Sequence, residues 1–316
     1  MRLVFRIDAS YNIGTGHVMR CLAIIEEAVL RNISCVVVGN LGGIDWIKQR
    51  LMQLGITHVA YLDFSQISKD NDVLVIDSYE LNVTDSFIQP VYWKSVVSIA
   101  DEATPNYNSN LIIHPGIDPF IKYHTETKLL TGVEYIPLRK SIKKTRKIDN
   151  GKVGKVVIFG GGSDKFQLAK AVAHKLIEIK EFDCAIFFTD LKQEISSLDK
   201  RFQVVEFGPA LDSQLEDTDL VITTASTSSL EIIAREIPLG VCNSANNQAT
   251  YLKAITEKGL AIGIGSLNNS GIWDLDSNVI KALFQDPHLR AQLRKNSHGF
   301  LDLLGSQRIV DELQKL

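Results

Sequence analysis

The strongest constraint on the fold is a regular alternation of short apolar runs with amphipathic segments over residues 1–140. A short apolar run is typical of a buried parallel strand, and apolar positions three and four residues apart are typical of a helix. The alternation therefore predicts a parallel sheet with helices on both faces. The predicted strands are residues 3–7, 34–39, 58–62, 72–77, 96–101 and 111–114.

The alternation stops in a basic stretch and then begins again. Lysine and arginine dominate residues 139–152, which predicts a solvated linker over residues 141–153 rather than a nucleic-acid or lipid contact. A second doubly wound domain is expected over residues 154–316, after a first over residues 1–140. Its last stretch, residues 286–316, predicts an amphipathic helix that packs back on the first domain. The predicted strands of this second series are residues 155–159, 185–188, 204–207, 220–223, 239–242 and 260–264.

Charge and composition exclude several classes of protein. The 316-residue chain has a net charge of −3 and a pI near 6.2, so neither nucleic acid nor an anionic membrane is expected as the main partner. No apolar run approaches the roughly 18 residues of a membrane span, and the first residues lack the regions of a signal peptide. The four cysteines lack zinc-ligand or redox spacing. We expect a cytoplasmic monomer with free thiols.

One loop combines a strand, glycines and a titratable side chain. Gly14 and Gly16 follow the first predicted strand, and His17 opens the first predicted helix. The positive end of the helix dipole disfavours an imidazolium, which predicts a lowered pKa and a neutral imidazole able to accept a proton. The alternative is a surface or capping histidine. The loop is not a dinucleotide-binding fingerprint, because Met19 replaces the third glycine and no acidic residue follows the second strand.

Polar side chains also follow several predicted strands of the first domain. Ligands bind at the carboxyl ends of the strands in such sheets, so these side chains are candidate site residues. Each has an alternative role as a helix cap or turn former. The group comprises Asp8, Asp77, Ser78, Tyr79, Asp101, Glu102 and His114.

Two loops of the second domain are suited to anions. Residues 160–163 are three glycines and a serine, and residues 225–229 are rich in hydroxyls just before a helix expected to begin near Ser229. Backbone N–H groups at such helix starts bind phosphate, and two such loops at one sheet edge predict a diphosphate site. Glu231 would accept the hydroxyls of a ribose. The alternatives are an ordinary N-cap for the serine-rich loop and an exposed helix carboxylate for Glu231.

These residues together resemble a known family. The chain resembles the UDP-sugar hydrolases of bacterial pseudaminic acid biosynthesis (PseG type), which are relatives of the GT-B glycosyltransferases and especially of their MurG branch. The first motif, residues 5–10 and 13–22, is the most specific. The other matching segments are residues 75–79, 132–135, 138–139 and 161–164, Glu231, residues 237–238, Asn247 and Gln248.

The resemblance implies two doubly wound, Rossmann-like α/β domains facing a cleft, the GT-B type, with the nucleotide on the C-terminal domain. His17 would remove a proton from water as the water attacks the anomeric carbon with inversion, and UDP would leave. The implied substrate is UDP-2,4-diacetamido-2,4,6-trideoxy-β-L-altropyranose. No metal or cofactor is expected, because the chain lacks an Asp-x-Asp pair placed as in metal-dependent transferases.

The resemblance also implies the roles of further residues. Asp8 and Tyr79 join His17 as catalytic residues, while Asp77, Tyr79 and Asn247 would lie near the sugar. The residues implied near the nucleotide are Gly162, Ser163, Thr227, Ser228 and Glu231. The other implied substrate-binding residues are Gly14, Gly16, Arg20, Gly161 and Gln248.

Three alternative functions remain open at this stage. A glycosyltransferase of the same fold would replace water by a sugar acceptor, a hydrolysing epimerase would remove the proton at C2, and a non-catalytic subunit would only bind the nucleotide sugar. The chain also departs from the family pattern. It has Ser226 and Thr227 where many relatives have two glycines, and residues 242–246 are unusual. These departures affect the expected sugar more than the expected reaction.

Overall fold

The chain forms two compact units. The computed structural model describes residues 1–10, 15–42, 44–78, 81–100, 107–117, 127–145, 151–208, 210–245 and 248–316. Unit 1 comprises residues 1–140 and 302–316, and unit 2 comprises residues 141–301. No helix in the described part of the chain is both long enough and apolar enough to cross a membrane.

Unit 1 is built on a parallel sheet in the order β3-β2-β1-β4-β5-β6-β7. All neighbouring strands pair in parallel, and Ile7 at the end of β1 is in register with Asp77 at the end of β4. The strand order reverses between β1 and β4, which is where such sheets open a ligand crevice at their carboxyl edge. The strands are β1 (Arg2–Ile7), β2 (Ser34–Val38), β3 (Thr57–Val59), β4 (Asp72–Asp77), β5 (Ser95–Ile99), β6 (Leu111–His114) and β7 (Lys128–Thr131). The helices are α1 (Gly16–Leu30) and α2 (Asp45–Gln53), together with α10 (Gly305–Leu313) from the end of the chain.

The two faces of this sheet are covered differently. Residues of α1, α2 and α10 pack on one face. Within the described ranges, the other face is covered by the segments that carry three 3₁₀ turns, and it includes Phe87 and Trp93. In the described residues, 3₁₀ turns thus stand on this face where the sequence analysis predicted helices. Asp63 and Asp85 each cap a single turn and Pro90 begins the third. Gln89 ends the second turn in an extended conformation, as expected for a residue that precedes proline.

Unit 2 has a second sheet, in the order β10-β9-β8-β11-β12-β13-β14. The pairs are parallel except for β13 and β14, which are antiparallel. The strands are β8 (Val153–Phe159), β9 (Phe182–Phe188), β10 (Phe202–Val205), β11 (Leu220–Thr224), β12 (Leu239–Asn243), β13 (Ile262–Leu267) and β14 (Trp273–Leu275). The helices are α3 (Leu168–Leu176), α4 (Lys192–Ser196), α5 (Ala210–Leu215), α6 (Thr227–Ala234), α7 (Ala249–Glu257), α8 (Ser277–Gln285) and α9 (Pro287–Ser297).

Most predicted strands are present, with some differences from the sequence analysis. The two edge strands β7 and β14 were not predicted, because each offers few apolar residues. The strand predicted at residues 58–62 is the shorter β3, and the strand predicted at 260–264 extends to Leu267. The single C-terminal helix is instead α9 and α10. Gly299 and Leu303, which lie between α9 and α10, have positive φ. A helix cannot continue through such residues.

Candidate active site

His17 lies at the carboxyl edge of the first sheet. It is in the first turn of α1 and only 6% exposed. Its Nδ1 atom lies 2.5 Å from Oδ1 of Asp77, the fully buried last residue of β4. The helix start and the strand end meet here because β1 leads into α1 while β4 pairs with β1. The structure thus joins the predicted base to a carboxylate.

Arg20 contacts the same carboxylate. It follows His17 by three residues, so both side chains lie on one face of α1. Its Nε donates to Oδ2 of Asp77 and its Nη2 donates to Oδ1, each at 2.5 Å. The Cys21 thiol also donates to Oδ2, at 3.4 Å. The carboxylate is therefore held by groups from two successive positions of α1 as well as by His17.

This arrangement determines the charge of Asp77. Burial alone would raise its pKa, but the charge of Arg20 and the hydrogen bonds with Arg20 and His17 lower the pKa to about 2. Asp77 is therefore ionised at neutral pH and accepts hydrogen bonds only.

The ionised carboxylate also selects the tautomer of His17. Arg20 Nη2 lies 3.1 Å from Nδ1, but a lone pair on Nδ1 would face a carboxylate oxygen at 2.5 Å. The tautomer with hydrogen on Nδ1 is favoured, which leaves the lone pair on Nε2. Asp77 and Arg20 were both predicted as substrate-binding residues. In the structure, the carboxylate of Asp77 and the guanidinium of Arg20 are directed at each other.

Asp8, predicted as catalytic, belongs to a second buried cluster beside the first. Its Oδ2 accepts a hydrogen bond from Ser78 at 2.6 Å and lies 2.6 Å from Arg6 Nη1, while its Oδ1 accepts from the backbone N–H of Asn40 at 3.1 Å. Burial opposes the ionisation of Asp8, but the hydrogen bonds from Arg6, Ser78 and Asn40 hold its pKa below the usual value. Asp8 therefore crosslinks the ends of β1, β2 and β4.

Some predicted residues are elsewhere or cannot be described. Gly16 is the first residue of α1, and His114 ends β6 with Nδ1 3.4 Å from the Thr131 hydroxyl. Gly14, Tyr79, Asp101, Glu102 and Asn247 lie outside the described residues. The sequence analysis did not single out Arg6 or Cys21. For Arg6 the sequence held a signal of its contact with Asp8, because residues two positions apart on a strand point to the same side of the sheet.

The glycine-rich loop of unit 2 follows β8. The Thr224 hydroxyl donates to the Gly160 carbonyl at 3.4 Å. Gly161 has a φ of 107°, and the position of a Cβ atom there would lie 3.7 Å from Thr224 Oγ1 and 4.0 Å from Ser226 Oγ. The glycine loop therefore adjoins the loop that precedes α6, as expected for neighbouring strands β8 and β11.

The start of α6 presents uncharged donors. The helix begins at Thr227 rather than near Ser229, and Ser226 precedes it in an extended conformation with no side-chain cap. Three residues here are half-buried, namely Ser226, Thr227 and Ser228. The hydroxyl of the buried Ser229 donates a hydrogen bond to the Ser226 carbonyl at 2.6 Å. Backbone N–H groups of a first turn have no partner within the helix. They and the nearby hydroxyls have the chemistry of an anion site.

The glycine loop does not lead directly into a helix. The sequence predicted a helix from Lys165, but α3 begins at Leu168, after Gln167 with a φ of 54°. Asp164 caps this helix by accepting from the backbone N–H of Ala169 at 3.3 Å. Burial, together with the charge of Asp190, raises the pKa of Asp164 to about 6 against the hydrogen bonds it accepts. Gly161, Gly162 and Ser163 thus lie in a loop that is separated from the helix start by Asp164 and its neighbours.

The two remaining predicted residues of unit 2 lie in α6 and just before α7. Glu231 is within α6 and largely buried. Gln248 directly precedes α7, and its Oε1 accepts from both the backbone N–H and the hydroxyl of Ser244 at 2.9 Å. This side chain closes the loop after β12. In the part of the chain that is described, no three His, Cys, Asp or Glu side chains lie close enough to hold a metal ion.

Comparison with known proteins shows the fold. No family model matches the chain. The uncharacterized protein MJ1062 of Methanocaldococcus jannaschii is 24% identical over 291 residues, which cover 81% of this chain and 59% of that protein. The chain therefore spans less than two thirds of the length of this relative.

Solved structures match over nearly the whole chain. MurG of Acinetobacter baumannii has a TM-score of 0.68 at 13% identity and is covered completely, as is this chain. A putative UDP-N-acetylglucosamine 2-epimerase of Listeria monocytogenes has a TM-score of 0.64 at 10% identity, covering 99% of this chain and 95% of the other. MnaA of S. aureus, solved with UDP, has a TM-score of 0.63 at 12% identity, covering 100% and 96%. The chain has the GT-B fold, which confirms the predicted fold class.

Proposed function

We propose that this protein hydrolyses a UDP-linked sugar to UDP and the free sugar. The proposed substrate is UDP-2,4-diacetamido-2,4,6-trideoxy-β-L-altropyranose, the substrate that the resemblance to hydrolases of the pseudaminic acid pathway implies. In this reaction His17 accepts a proton from water, the oxygen of that water bonds to the anomeric carbon, and the bond to UDP breaks with inversion.

The contact between His17 and Asp77 is the observation that carries this proposal. A water molecule is a weak nucleophile and needs a base in the transition state. The ionised Asp77 holds hydrogen on Nδ1, so Nε2 is the atom that accepts the proton, and the carboxylate stabilises the imidazolium that forms. We assign Asp77 as a positioning residue for His17, and Arg20 as a positioning residue for Asp77.

Unit 2 supports the UDP part of the proposal. The N–H groups and hydroxyls at residues 160–163 and 226–228 are uncharged donors beside one another. Such donors stabilise the negative charge that accumulates on a departing diphosphate. Glu231, in the same helix as Thr227 and Ser228, is proposed to accept the ribose hydroxyls.

A glycosyltransferase is the second candidate. MurG and the glycosyltransferase of kitacinnamycin, which share the fold with this chain, favour it. In a transferase the same histidine would deprotonate an acceptor hydroxyl instead of water.

The reaction in H₂¹⁸O distinguishes these functions. Hydrolysis at the anomeric carbon places ¹⁸O in the sugar and none in UDP, and NMR immediately after mixing identifies the inverted anomer. A transferase releases UDP only when an acceptor is added. His17→Asn is the matched variant, and undiminished release of UDP by it would remove His17 from the mechanism. Tight UDP binding without turnover of any candidate sugar would instead indicate a binding subunit.

A further inference from the structure

The segment between β8 and α3 is held by a side chain from the far edge of the sheet. The indole Nε1–H of Trp273 donates to the Phe166 carbonyl at 2.7 Å, across 107 residues of sequence. At the other end of the segment, the Thr224 hydroxyl donates to the Gly160 carbonyl. The glycine loop at residues 160–163 thus lies within a segment fixed at both ends.

The antiparallel direction of β14 explains why Trp273 can reach this segment. Trp273 is the first residue of β14 and pairs with Leu267, the last residue of β13. Since β13 runs parallel to β12, its last residue lies at the carboxyl edge of the sheet. A hairpin returning from that edge begins where the ligand-binding loops lie, and the Trp273 ring also packs against the core of unit 2.

The bond acts on a strained peptide unit. Gln167 has a φ of 54°, in the left-handed region that a residue with a Cβ atom rarely adopts. Such a conformation persists only where the surroundings impose it. The Phe166 carbonyl belongs to the peptide unit that joins Phe166 to Gln167. Fixing that oxygen therefore fixes the plane whose rotation sets the φ of Gln167.

We propose that Trp273 is a positioning residue for the glycine loop, and that it acts by holding the Phe166–Gln167 peptide in the orientation that presents residues 160–163 to the diphosphate. This inference rests on the proposed binding of UDP by unit 2. Without the indole bond, the segment relaxes toward the ordinary φ of Gln167, and the loop has to be reordered each time a nucleotide binds.

The test is the affinity for UDP of Trp273→Phe, which keeps an aromatic ring but lacks the N–H donor. Loss of one neutral hydrogen bond predicts a three- to tenfold increase in the dissociation constant of UDP, roughly the range for such a bond. The KM of the nucleotide sugar rises by a similar factor, because the same loop has to be ordered when the nucleotide sugar binds. Replacing Trp273 by 3-benzothienylalanine gives the same result with no change of ring size.

A second substitution tests the strain itself. Glycine adopts positive φ without a steric cost, so Gln167→Gly in the Trp273→Phe background restores UDP affinity to within about twofold of the wild type. A purely structural role for Trp273 predicts no such rescue. Trp93→Phe is the matched control, because Trp93 donates an equivalent bond to the Phe87 carbonyl at 2.6 Å in unit 1. It lowers the stability of unit 1 and leaves UDP affinity unchanged.

The outcomes separate this inference from the function on which it rests. A wild-type protein that does not bind UDP in calorimetry overturns the proposed function, and the inference with it. A wild-type protein that binds UDP, with both Trp273 variants binding it equally well, overturns only the inference. Weaker binding that Gln167→Gly does not restore also overturns it, because the bond would then act by another route.

Discussion

The carboxyl edges of the two sheets use opposite chemistry. In unit 1 the edge holds two buried, ionised carboxylates, Asp8 and Asp77, each paired with an arginine. In unit 2 the neighbouring loops offer glycine N–H groups and the hydroxyls of residues 226–228. Two sheets with the same order of seven strands thus carry different chemical groups at this edge.

The difference follows from what each edge is proposed to do. A charge that orients a base has to be fixed, and buried carboxylates with several donors are fixed in position and in protonation state. A diphosphate needs donors that are still available and would be repelled by a nearby carboxylate. Asp164 is the only acidic residue of the glycine-loop segment 160–167, and it accepts a hydrogen bond from the backbone N–H of Ala169 at the start of α3.

The comparison predicts that the base in unit 1 affects chemistry without affecting nucleotide binding. His17→Asn is expected to lower kcat by about 100- to 10,000-fold, the usual contribution of a general base. The dissociation constant of UDP should stay the same, since the donors for the diphosphate lie in unit 2. Steady-state release of UDP and calorimetry check the two parts. A parallel loss of UDP affinity would break the division between the units.

Removing the charge of Asp77 should be the largest effect on stability. Asp77→Asn leaves Arg20 buried without its counter-charge, which costs about 3–5 kcal/mol in the free energy of unfolding. It also lowers kcat, because the imidazolium of His17 loses its partner. Urea unfolding at pH 7 measures the first effect.

Asp8→Asn is the matched comparison for Asp77→Asn. Its partner Arg6 has a side chain that is 19% exposed, against 7% for Arg20, so water compensates the lost charge better and the loss of stability is smaller. Equal losses for the two variants would contradict the importance of the Arg20 environment.

A smaller effect is expected in the glycine loop of unit 2. Gly161→Ala forces a Cβ atom onto a residue with a φ of 107°, which costs about 1–3 kcal/mol. The loop escapes this cost by changing conformation, so UDP binding weakens by about tenfold, or 1.4 kcal/mol.

Gly55→Ala is the control for this prediction, because Gly55 in unit 1 also has positive φ and has open space around it. It should lower the stability of the protein with no effect on UDP. If Gly55→Ala weakened UDP binding as much as Gly161→Ala, the glycine loop would have no special role.

The last prediction concerns pH, and the sign of the effect differs between the units. Asp164 has a pKa of about 6 against an ordinary value of 3.8, so between about pH 4 and 6 the folded protein keeps a proton that the unfolded chain has released. Stability contributed by Asp164 therefore falls as the pH rises through this window. For Asp77 the pKa is lowered from 3.8 to about 2. Its contribution is present above about pH 4 and is lost as the pH falls toward 2.

Asp164→Asn tests this difference. In urea unfolding between pH 4 and 7, the variant should show a less negative change of stability with pH than the wild type. The pH dependence contributed by Asp77 should be the same in both proteins. Identical curves for variant and wild type would mean that the carboxyl of Asp164 titrates at the same pH in the folded and unfolded chain.

The sequence was sufficient for the parts of the fold that depend on local patterns. The apolar runs of β1 and β4 predicted two parallel strands, and the carboxyl ends of such strands meet at one edge. The sequence analysis therefore predicted Asp8, His17 and Asp77 at that edge. It did not predict that Asp77 pairs with Arg20, because the partners are 57 residues apart and the pairing depends on strand order. β14 was missed for a similar reason. The three residues of β14 are too few to show an apolar alternation, and the position of Trp273 depends on the pairing of β14 with β13.

The placement of α10 has a consequence for how the chain is made. Ile309, Val310 and Leu313 are fully buried in the core of unit 1, on the same face as α1, although unit 2 occupies residues 141–301. On the ribosome, every residue of unit 2 is therefore synthesised before unit 1 receives its last helix. The first part of the chain to emerge is the last to be complete, and until then the apolar surface against which α10 packs is open to the chaperones that meet nascent chains.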